Sequence, residues 1–347
     1  MDRDNPEKIL VIQLRRLGDV LLTTPAVESL KRSFPQSRID FLVEKAGGEI
    51  LQNNPYISQI HIYKKSNSLQ WIYFIRRQKY DWVLDFLGNP RTSVLTALSG
   101  ARVKAGFNYP VRGRLYNHRA QIIPGRRSVV DFKLALLQRL GLSISHSGPA
   151  MYVNGLERQE IEYFLKKYTL NTNKILVGIA PASRRQTRQW LPEYYAQICD
   201  RLITRHNAHV IMLWGPGEED VVENVRIRMK EKPIIPALLN LRMLGALIQQ
   251  CSVVIANSNG PMHMAEALHV PTITIYGPND PVSWESGSLH QEFLQAEHLA
   301  CIRCNKNTCD IGHLCMKYIR PEMVEEKFIL LLKRMDKNIS HAEKLQT

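Results

Sequence analysis

Short apolar runs alternate with amphipathic stretches along this chain, and the alternation starts twice. The first run is Lys8–Leu14 (KILVIQL) and the second is Lys174–Ala180 (KILVGIA). Each is long enough for a buried strand and too short for a buried helix. The first is followed by a helical stretch at 20–34 and a strand at Arg38–Val43 (RIDFLV). Strands at Gln59–Tyr63, Asp81–Phe86 and 102–107 come next, with helical stretches near 68–79 and 91–99. Pro25 either kinks the 20–34 helix or opens its main part with Thr24 as cap. The second run leads to a helix at 192–206, a strand at 208–214 and helices near 218–231 and 240–251. Strand Ser252–Ala256, helix 261–269, strand Thr272–Tyr276 and a last helix at 321–336, opened by Pro321, complete the pattern. Such alternation implies parallel sheets covered on both faces. At 347 residues the chain has room for two such domains. The expected fold class is α/β, with two Rossmann-like domains facing each other across a cleft and a link near 150–173. The expected domains are 1–160 and 173–320, with a helix and tail at 321–347 that could pack back onto the N-terminal domain.

Charge is unevenly placed. The chain carries 46 Lys+Arg and 32 Asp+Glu, a formal net charge of +14. Residues 1–172 hold 26 basic and 14 acidic residues, a net of +12, and the rest hold 20 and 18, a net of +2. The first half should therefore meet an anionic partner: nucleic acid, an anionic membrane surface or a phosphorylated substrate. A merely soluble basic face is the plainer alternative. Segment 108–128 interrupts the strand–helix rhythm with Arg112, Arg114, Arg119, Arg126 and Arg127. A long basic loop of this kind suits a phosphate clamp, since arginine offers paired donors; a solvated loop is the other reading. No apolar run approaches the ~18 residues of a spanning helix. The charged N-terminus lacks a signal-peptide core, so the protein is expected in the cytoplasm.

Four loops at expected strand ends carry the residues with chemistry. In Leu14-Arg15-Arg16-Leu17-Gly18-Asp19, Gly18 allows close backbone approach. Asp19, at the helix start, could act as a general base for a hydroxyl nucleophile or only favour the helix dipole. In Ala180-Pro181-Ala182-Ser183-Arg184-Arg185-Gln186-Thr187-Arg188-Gln189-Trp190, Ser183, Arg184, Arg185 and Arg188 could hold a diphosphate and neutralise a departing one. In Trp214-Gly215-Pro216-Gly217-Glu218, Glu218 could bind a ribose hydroxyl. In Asn257-Ser258-Asn259-Gly260-Pro261-Met262-His263, the helix-start amides near Gly260 suit phosphate oxygens, and His263 lies one turn inside. A capped turn with a buried histidine is the bland alternative there.

Cys301, Cys304, Cys309 and Cys315 put four thiols into fifteen residues. The spacing could support structural tetrahedral zinc, far in sequence from the loops above, or leave free thiols or a local disulfide pair. Cys199 and Cys251 fall in helical stretches and read as core residues.

The chain resembles glycosyltransferase family 9, the heptosyltransferases of the lipopolysaccharide inner core. The resemblance is carried by ILVIQLRRLGDVLLTTPAVESLK (9–31), PASRRQTRQWLPEYYAQI (181–198), WGPGEE (214–219) and NSNGPMHMAEALHVPTITIYGPNDP (257–281). It implies a GT-B fold and an inverting transfer with no catalytic metal and no cofactor. The implied donor is a nucleotide-sugar, typically ADP-L-glycero-D-manno-heptose, held by the C-terminal domain. The implied acceptor is the anionic lipopolysaccharide or lipid A core, held by the N-terminal domain, with peripheral contact at the inner face of the inner membrane and no nucleic acid. Asp19 takes the family's general-base position. Arg188 stands where lysine is common and would stabilise the leaving diphosphate; the change keeps the charge and alters the geometry. Ser183, Arg184, Glu218, Ser258, Asn259, Gly260 and His263 fall on the donor side, Gly18, Arg112, Arg114 and Arg119 on the acceptor side. Ser258 replaces the family's usual aspartate, and Asn259 could partly replace its Ser/Thr bonds to phosphate. That departure opens the alternative of another nucleotide-sugar donor or of weakened activity. Competing classes are an NAD-type sugar-nucleotide enzyme, which predicts GxGxxG where RRLGD stands, and a nucleic-acid binder, which predicts interleaved stacking aromatics.

Overall fold

The structure is a computed structural model that describes residues 5–65, 67–122, 128–168, 174–284 and 290–344, without the side chains of Ser68 and 336–344. It forms two compact units, Met1–Tyr152 and Val153–Thr347.

The first unit contains β1 (Lys8–Ile12), β2 (Arg38–Val43), β3 (Gln59–Ile62), β4 (Trp82–Asp85), β5 (Val103–Phe107) and β6 (His118–Ala120). All pair in parallel, in the order β3-β2-β1-β4-β5-β6. The helices are α1 (Leu17–Leu21), α2 (Thr24–Ser33), α3 (Lys45–Leu51), α4 (Ser68–Gln78), α5 (Pro90–Ala97) and α6 (Val129–Arg139). The central strands β1 and β4 are almost wholly buried, as continuous apolar runs between two helical layers must be. Ile12 of β1 pairs with Leu42 on one side and Asp85 on the other.

The second unit opens with α7 (Gly155–Lys166) and β7 (Leu176–Ala180), followed by α8 (Pro192–Arg205), β8 (His209–Met212), α9 (Glu219–Arg226) and α10 (Leu241–Gln250). Then come β9 (Val253–Asn257), α11 (Gly260–Ala267), β10 (Thr272–Tyr276), β11 (Gln291–Gln295), α12 (Leu314–Lys317) and α13 (Pro321–Lys344). Its parallel sheet runs β11-β10-β9-β7-β8. In each sheet the first strand of the unit lies centrally, beside a strand reached by reversing direction: β1 beside β4, and β7 beside β9. Ligands of open parallel sheets collect at such reversal points, outside the carboxyl ends of the strands.

Several elements differ from the sequence reading. The stretch at 20–34 is part of two helices, with Pro25 near the start of α2. Thr23, not Thr24, takes the cap position, and it makes no side-chain capping bond. Thr24 Oγ1 donates to Leu21 O and accepts from Ala150 N. Segment 108–128 is not loop throughout: it holds a 3₁₀ turn at Arg112–Leu115 and the edge strand β6. Arg126 and Arg127 lie outside the described residues. The expected link at 150–173 contains α7, because Asn154 and Glu157 form a reciprocal capping box. Glu157 also pairs with Arg242 of α10 at 2.6 Å, which ties α7 to the second unit. The C-terminal helix puts Val324, Phe328 and Leu331 into the core of the second unit. Glu325 accepts from Arg201 and pairs with His206, both at 2.9 Å, so α13 is held to α8 and its flank. Helix α3 approaches the sheet closely: a Cβ on Gly47 would meet Val43, and one on Gly48 would meet Ile62. Among the described residues no helix is long and apolar enough to cross a membrane.

A buried polar knot secures β2. Asp40, fully buried, accepts from Arg38 Nε at 2.9 Å and Tyr80 Oη at 2.7 Å and contacts His61 Nε2 at 3.1 Å. Burial alone would push this carboxyl up; the bonds from His61, Arg38 and Tyr80 outweigh it and hold it below the ordinary value. The stabilisation is therefore complete above the unfolded carboxylate range and lost as pH falls through the lowered native value. Asp40→Ala should cost about 2–4 kcal/mol at neutral pH, since it removes the acceptor of Arg38 and Tyr80 and leaves buried Tyr80 and His61 only each other, at 3.2 Å. Denaturant titration at neutral and acid pH should show that deficit narrowing as the wild type loses the same interaction.

Candidate functional site

At the β1/β4 reversal, α1 begins five residues after β1 ends and places Asp19 in its first turn. Gly18 is buried, and Asp19 is half-buried. The Asp19 carboxylate accepts no hydrogen bond from the described residues, although its backbone carbonyl takes Thr23 Oγ1 at 2.7 Å. Beneath the turn, Gln13 Nε2 donates to Arg15 O at 2.6 Å, and Lys133 Nζ of α6 donates to Gln13 Oε1 at 2.8 Å. On the neighbouring strand end, Asp85 is fully buried and accepts from Leu87 N, Gly88 N and Tyr116 Oη. Burial nevertheless pushes its carboxyl up, toward the neutral form. An ionised, accessible carboxylate can take a proton from a hydroxyl; a buried, saturated one holds its loop in shape.

Of the expected acceptor arginines, Arg112 joins this strand-end cluster. Its Nε donates to Gly88 O at 3.1 Å, and its guanidinium lies 5.1 Å from the Tyr109 ring centre. Arg114 and Arg119 are exposed, and no hydrogen bond or ion pair among the described residues ties them to the cluster.

At the β7/β9 reversal, two asparagines join the loops that follow the two strands. Asn257, fully buried, accepts from Trp190 N at 3.0 Å and donates to Pro181 O at 2.6 Å. Asn259 donates to Ala180 O at 3.2 Å and Ala182 O at 2.8 Å, and its Oδ1 accepts from Met262 N at 3.1 Å. Ser183 and Gly260 are thereby brought into adjoining loops. The side chain of Asn259 is committed to this scaffold and to capping α11, which differs from its expected role toward phosphate. Pro261 has no N–H, Met262 N is capped and His263 N bonds Asn259 O. Among the first-turn amides of α11, Gly260 N–H stands outside these bonds. His263 is buried, its Nδ1 3.6 Å from Glu266 and its ring against Trp284. Ser258 Oγ accepts from Asn279 Nδ2 at 3.0 Å, so a neutral pair occupies that corner.

The arginine loop is braced from an unexpected side. Asn305 Oδ1 accepts from Arg188 Nη2 at 2.7 Å and Arg185 Nη1 at 3.2 Å. Thr187 Oγ1 donates to Lys306 O at 3.0 Å, and Asn305 N donates to Pro278 O at 2.8 Å. Trp190, one of the largest fully buried side chains, donates from its indole to Ile319 O at 2.9 Å. Arg184 stays exposed. The cysteine-rich segment, distant in sequence, is thus packed against the loop that carries Arg188. Cys301, Cys304, Cys309 and Cys315 are free thiols that line one small cavity with Thr187 and Pro278. Among the described residues no three such ligating groups are gathered to hold a metal ion. Glu218 sits at the start of α9, where Oε2 accepts from Gly215 N at 2.8 Å and burial pushes the carboxyl up. Sequence reasoning missed Lys133, Asp85 and Asn305, none of which belongs to a motif, and gave no role to Asn257, although it stands in the 257–281 motif.

The family model described as Glycosyltransferase family 9 (heptosyltransferase) matches residues 71–315. Lipopolysaccharide heptosyltransferase 3 of Escherichia coli is 26% identical over 293 residues, covering 79% of this chain and 85% of its own length. The lipopolysaccharide core heptosyltransferase OpsX of Haemophilus influenzae is 25% identical over 287 residues, covering 80% and 81%. Among solved structures, a family 9 glycosyl transferase from Veillonella parvula superposes with a TM-score of 0.83 at 25% identity, over 94% of this chain and 97% of that one. The Escherichia coli ADP-heptose heptosyltransferase II matches with a TM-score of 0.78 at 18% identity, over 95% and 99%. Both units are of the Rossmann-like kind found in GT-B transferases. The family match spans well over half of the sequence, and the chain belongs to glycosyltransferase family 9, the heptosyltransferases.

Proposed function

We propose that this protein is an inverting heptosyltransferase of the lipopolysaccharide core, using an ADP-heptose donor, with Asp19 as the general base. The observation that carries this reading is the Asp19 carboxylate: half-exposed, without a hydrogen-bond donor among the described residues, at the reversal point of the first sheet. Asp19 takes the proton of an acceptor hydroxyl, and that oxygen attacks the anomeric carbon of the donor. The bond from that carbon to the diphosphate breaks, and configuration inverts. Arg188, with Arg184 and Gly260 N–H, stabilises the charge that develops on the departing diphosphate. Ser183 and Glu218 belong to the donor side, the latter toward the ribose. Arg112, with Arg114 and Arg119, meets the anionic acceptor, in keeping with the excess positive charge of the first half. Contact with the membrane bearing that acceptor is peripheral and electrostatic.

The neutral Ser258–Asn279 pair favours a second reading, in which the transferred sugar differs from heptose. A hydroxyl and an amide read sugar hydroxyls without the charge preference of a carboxylate. Thermal stabilisation by a panel of nucleotide-sugars separates the two: preference for ADP-heptose supports the first, and preference for another sugar the second.

Asp19→Asn should lower turnover roughly a hundredfold to ten-thousandfold, the span of general-base catalysis. ADP affinity, measured by calorimetry, should stay within about twofold, because no donor-side group changes. Undiminished turnover in that variant removes the base assignment. Asn305→Ala should lower kcat about five- to tenfold through loss of its bond to Arg188, with little change in acceptor KM. An equal loss in acceptor KM would place Asn305 in another role.

A further inference from the structure

The first unit buries a charge that the reaction scheme above leaves unused. Lys133, on α6, is only 3% exposed. Lysine is almost never buried to this degree unless it is paired. Among the described residues it makes no ion pair; its one hydrogen bond runs from Nζ to the neutral Gln13 Oε1, and Phe86 presents its ring 5.7 Å away. Gln13 in turn donates to Arg15 O at 2.6 Å. The lysine, the amide and the Arg15 carbonyl therefore form one chain of hydrogen bonds that ends in the turn presenting Gly18 and Asp19.

The charged groups acting on Lys133 are Asp19 on α1 and Asp85 at the end of β4. Helix α2 and strands β5 and β6, which also pack on α6, add none. Asp85 already accepts three hydrogen bonds, and its burial favours the neutral form. The ammonium reaches the Asp19 turn through Gln13 and the Arg15 carbonyl. A base works only while it is held toward the proton it takes, and a buried hydrogen-bond chain under its turn fixes that direction.

We propose that Lys133 is a positioning residue for the transfer: its buried ammonium, bonded through Gln13 to the Arg15 carbonyl, holds the turn that presents Asp19, and turnover requires that lysine to be protonated. The inference rests on Asp19 acting as the base. Burial lowers the Lys133 ammonium to about 8, while Asp19 and Asp85 pull it upward. The charge is present at neutral pH and lost as the pH rises through that value.

The test is the pH dependence of kcat, with ADP-heptose and a truncated lipopolysaccharide acceptor, for the wild type, Lys133→Met, Gln13→Glu and Asp19→Asn. Calorimetric binding of ADP checks that each variant is folded. The wild type should lose turnover on the alkaline side near pH 8. Lys133→Met should be about tenfold slower at neutral pH and lack that decline. Gln13→Glu sets a carboxylate against the ammonium and should move the decline to higher pH. A purely structural lysine would change rates without moving the profile. Wild-type rate and profile in Lys133→Met, or an unmoved decline in Gln13→Glu, overturns the inference alone when Asp19→Asn is inactive. Wild-type turnover in Asp19→Asn overturns the base assignment and this inference with it.

Discussion

Each unit starts its sheet on an interior strand. β1 lies between β2 and β4, and β7 lies between β8 and β9, so the chain must reverse its direction of winding beside its own first strand. The connections that leave the two central strands then part toward opposite faces. The carboxyl ends between them stay free of a covering helix. The motif loops are arranged around those two gaps. The turn with Asp19 borders the first, and the loops with Ser183, Arg188 and Gly260 border the second.

A gap at strand ends also exposes backbone polar groups that need partners. The second unit meets this need with Asn257 and Asn259, whose amides serve Pro181, Ala180 and Ala182 and the N–H groups of Trp190 and Met262. The residues that look most suited to bind phosphate are thereby spent on holding the loops together. In the proposed reaction, anion recognition therefore falls to Gly260 N–H and to the arginines. Those arginines are long and flexible, and fixing them costs side-chain entropy. The bracing from Asn305 and Lys306 lowers that cost before a ligand arrives. The cysteine-rich segment thus bears on the donor loop through its backbone and Asn305.

The architecture was largely legible because buried parallel strands write themselves as apolar runs. Arg38–Val43 and Thr272–Tyr276 have the same bounds in sequence and structure. What escaped lacks that signature. His118–Ala120 is a three-residue edge strand, and Gln291–Gln295 is an edge strand whose Gln291, Glu292 and Gln295 are polar. Helix α3 contains Gly47 and Gly48, which read as a turn; they are there because the helix lies too close to Val43 and Ile62 for a larger side chain. Helix α7 was concealed in the expected link, although Asn154 and Glu157 carried a readable capping signal. The motif loops fell where expected, but the partners of their residues did not. Asn259 reads as a ligand and acts as a cap. Lys133 reads as a surface lysine in an apolar helix, and only the fold brings it to the turn of Asp19. Contacts between side chains more than a hundred residues apart leave no local pattern to read.

The family identifies the class of reaction; the arrangement of charge suggests how it is carried out. Among the described residues the Asp19 carboxylate accepts no hydrogen bond, while Gln13 joins Lys133 to the turn that carries it and Asp85 is saturated on the neighbouring strand end. The most direct measurement is a crystal structure with a non-hydrolysable donor analogue and an acceptor fragment both bound. The account predicts the attacking hydroxyl within about 2.6–3.2 Å of an Asp19 oxygen, with the diphosphate on Arg188 and Gly260 N–H. A hydroxyl seated against a different carboxylate, with Asp19 turned away from it, would contradict the account.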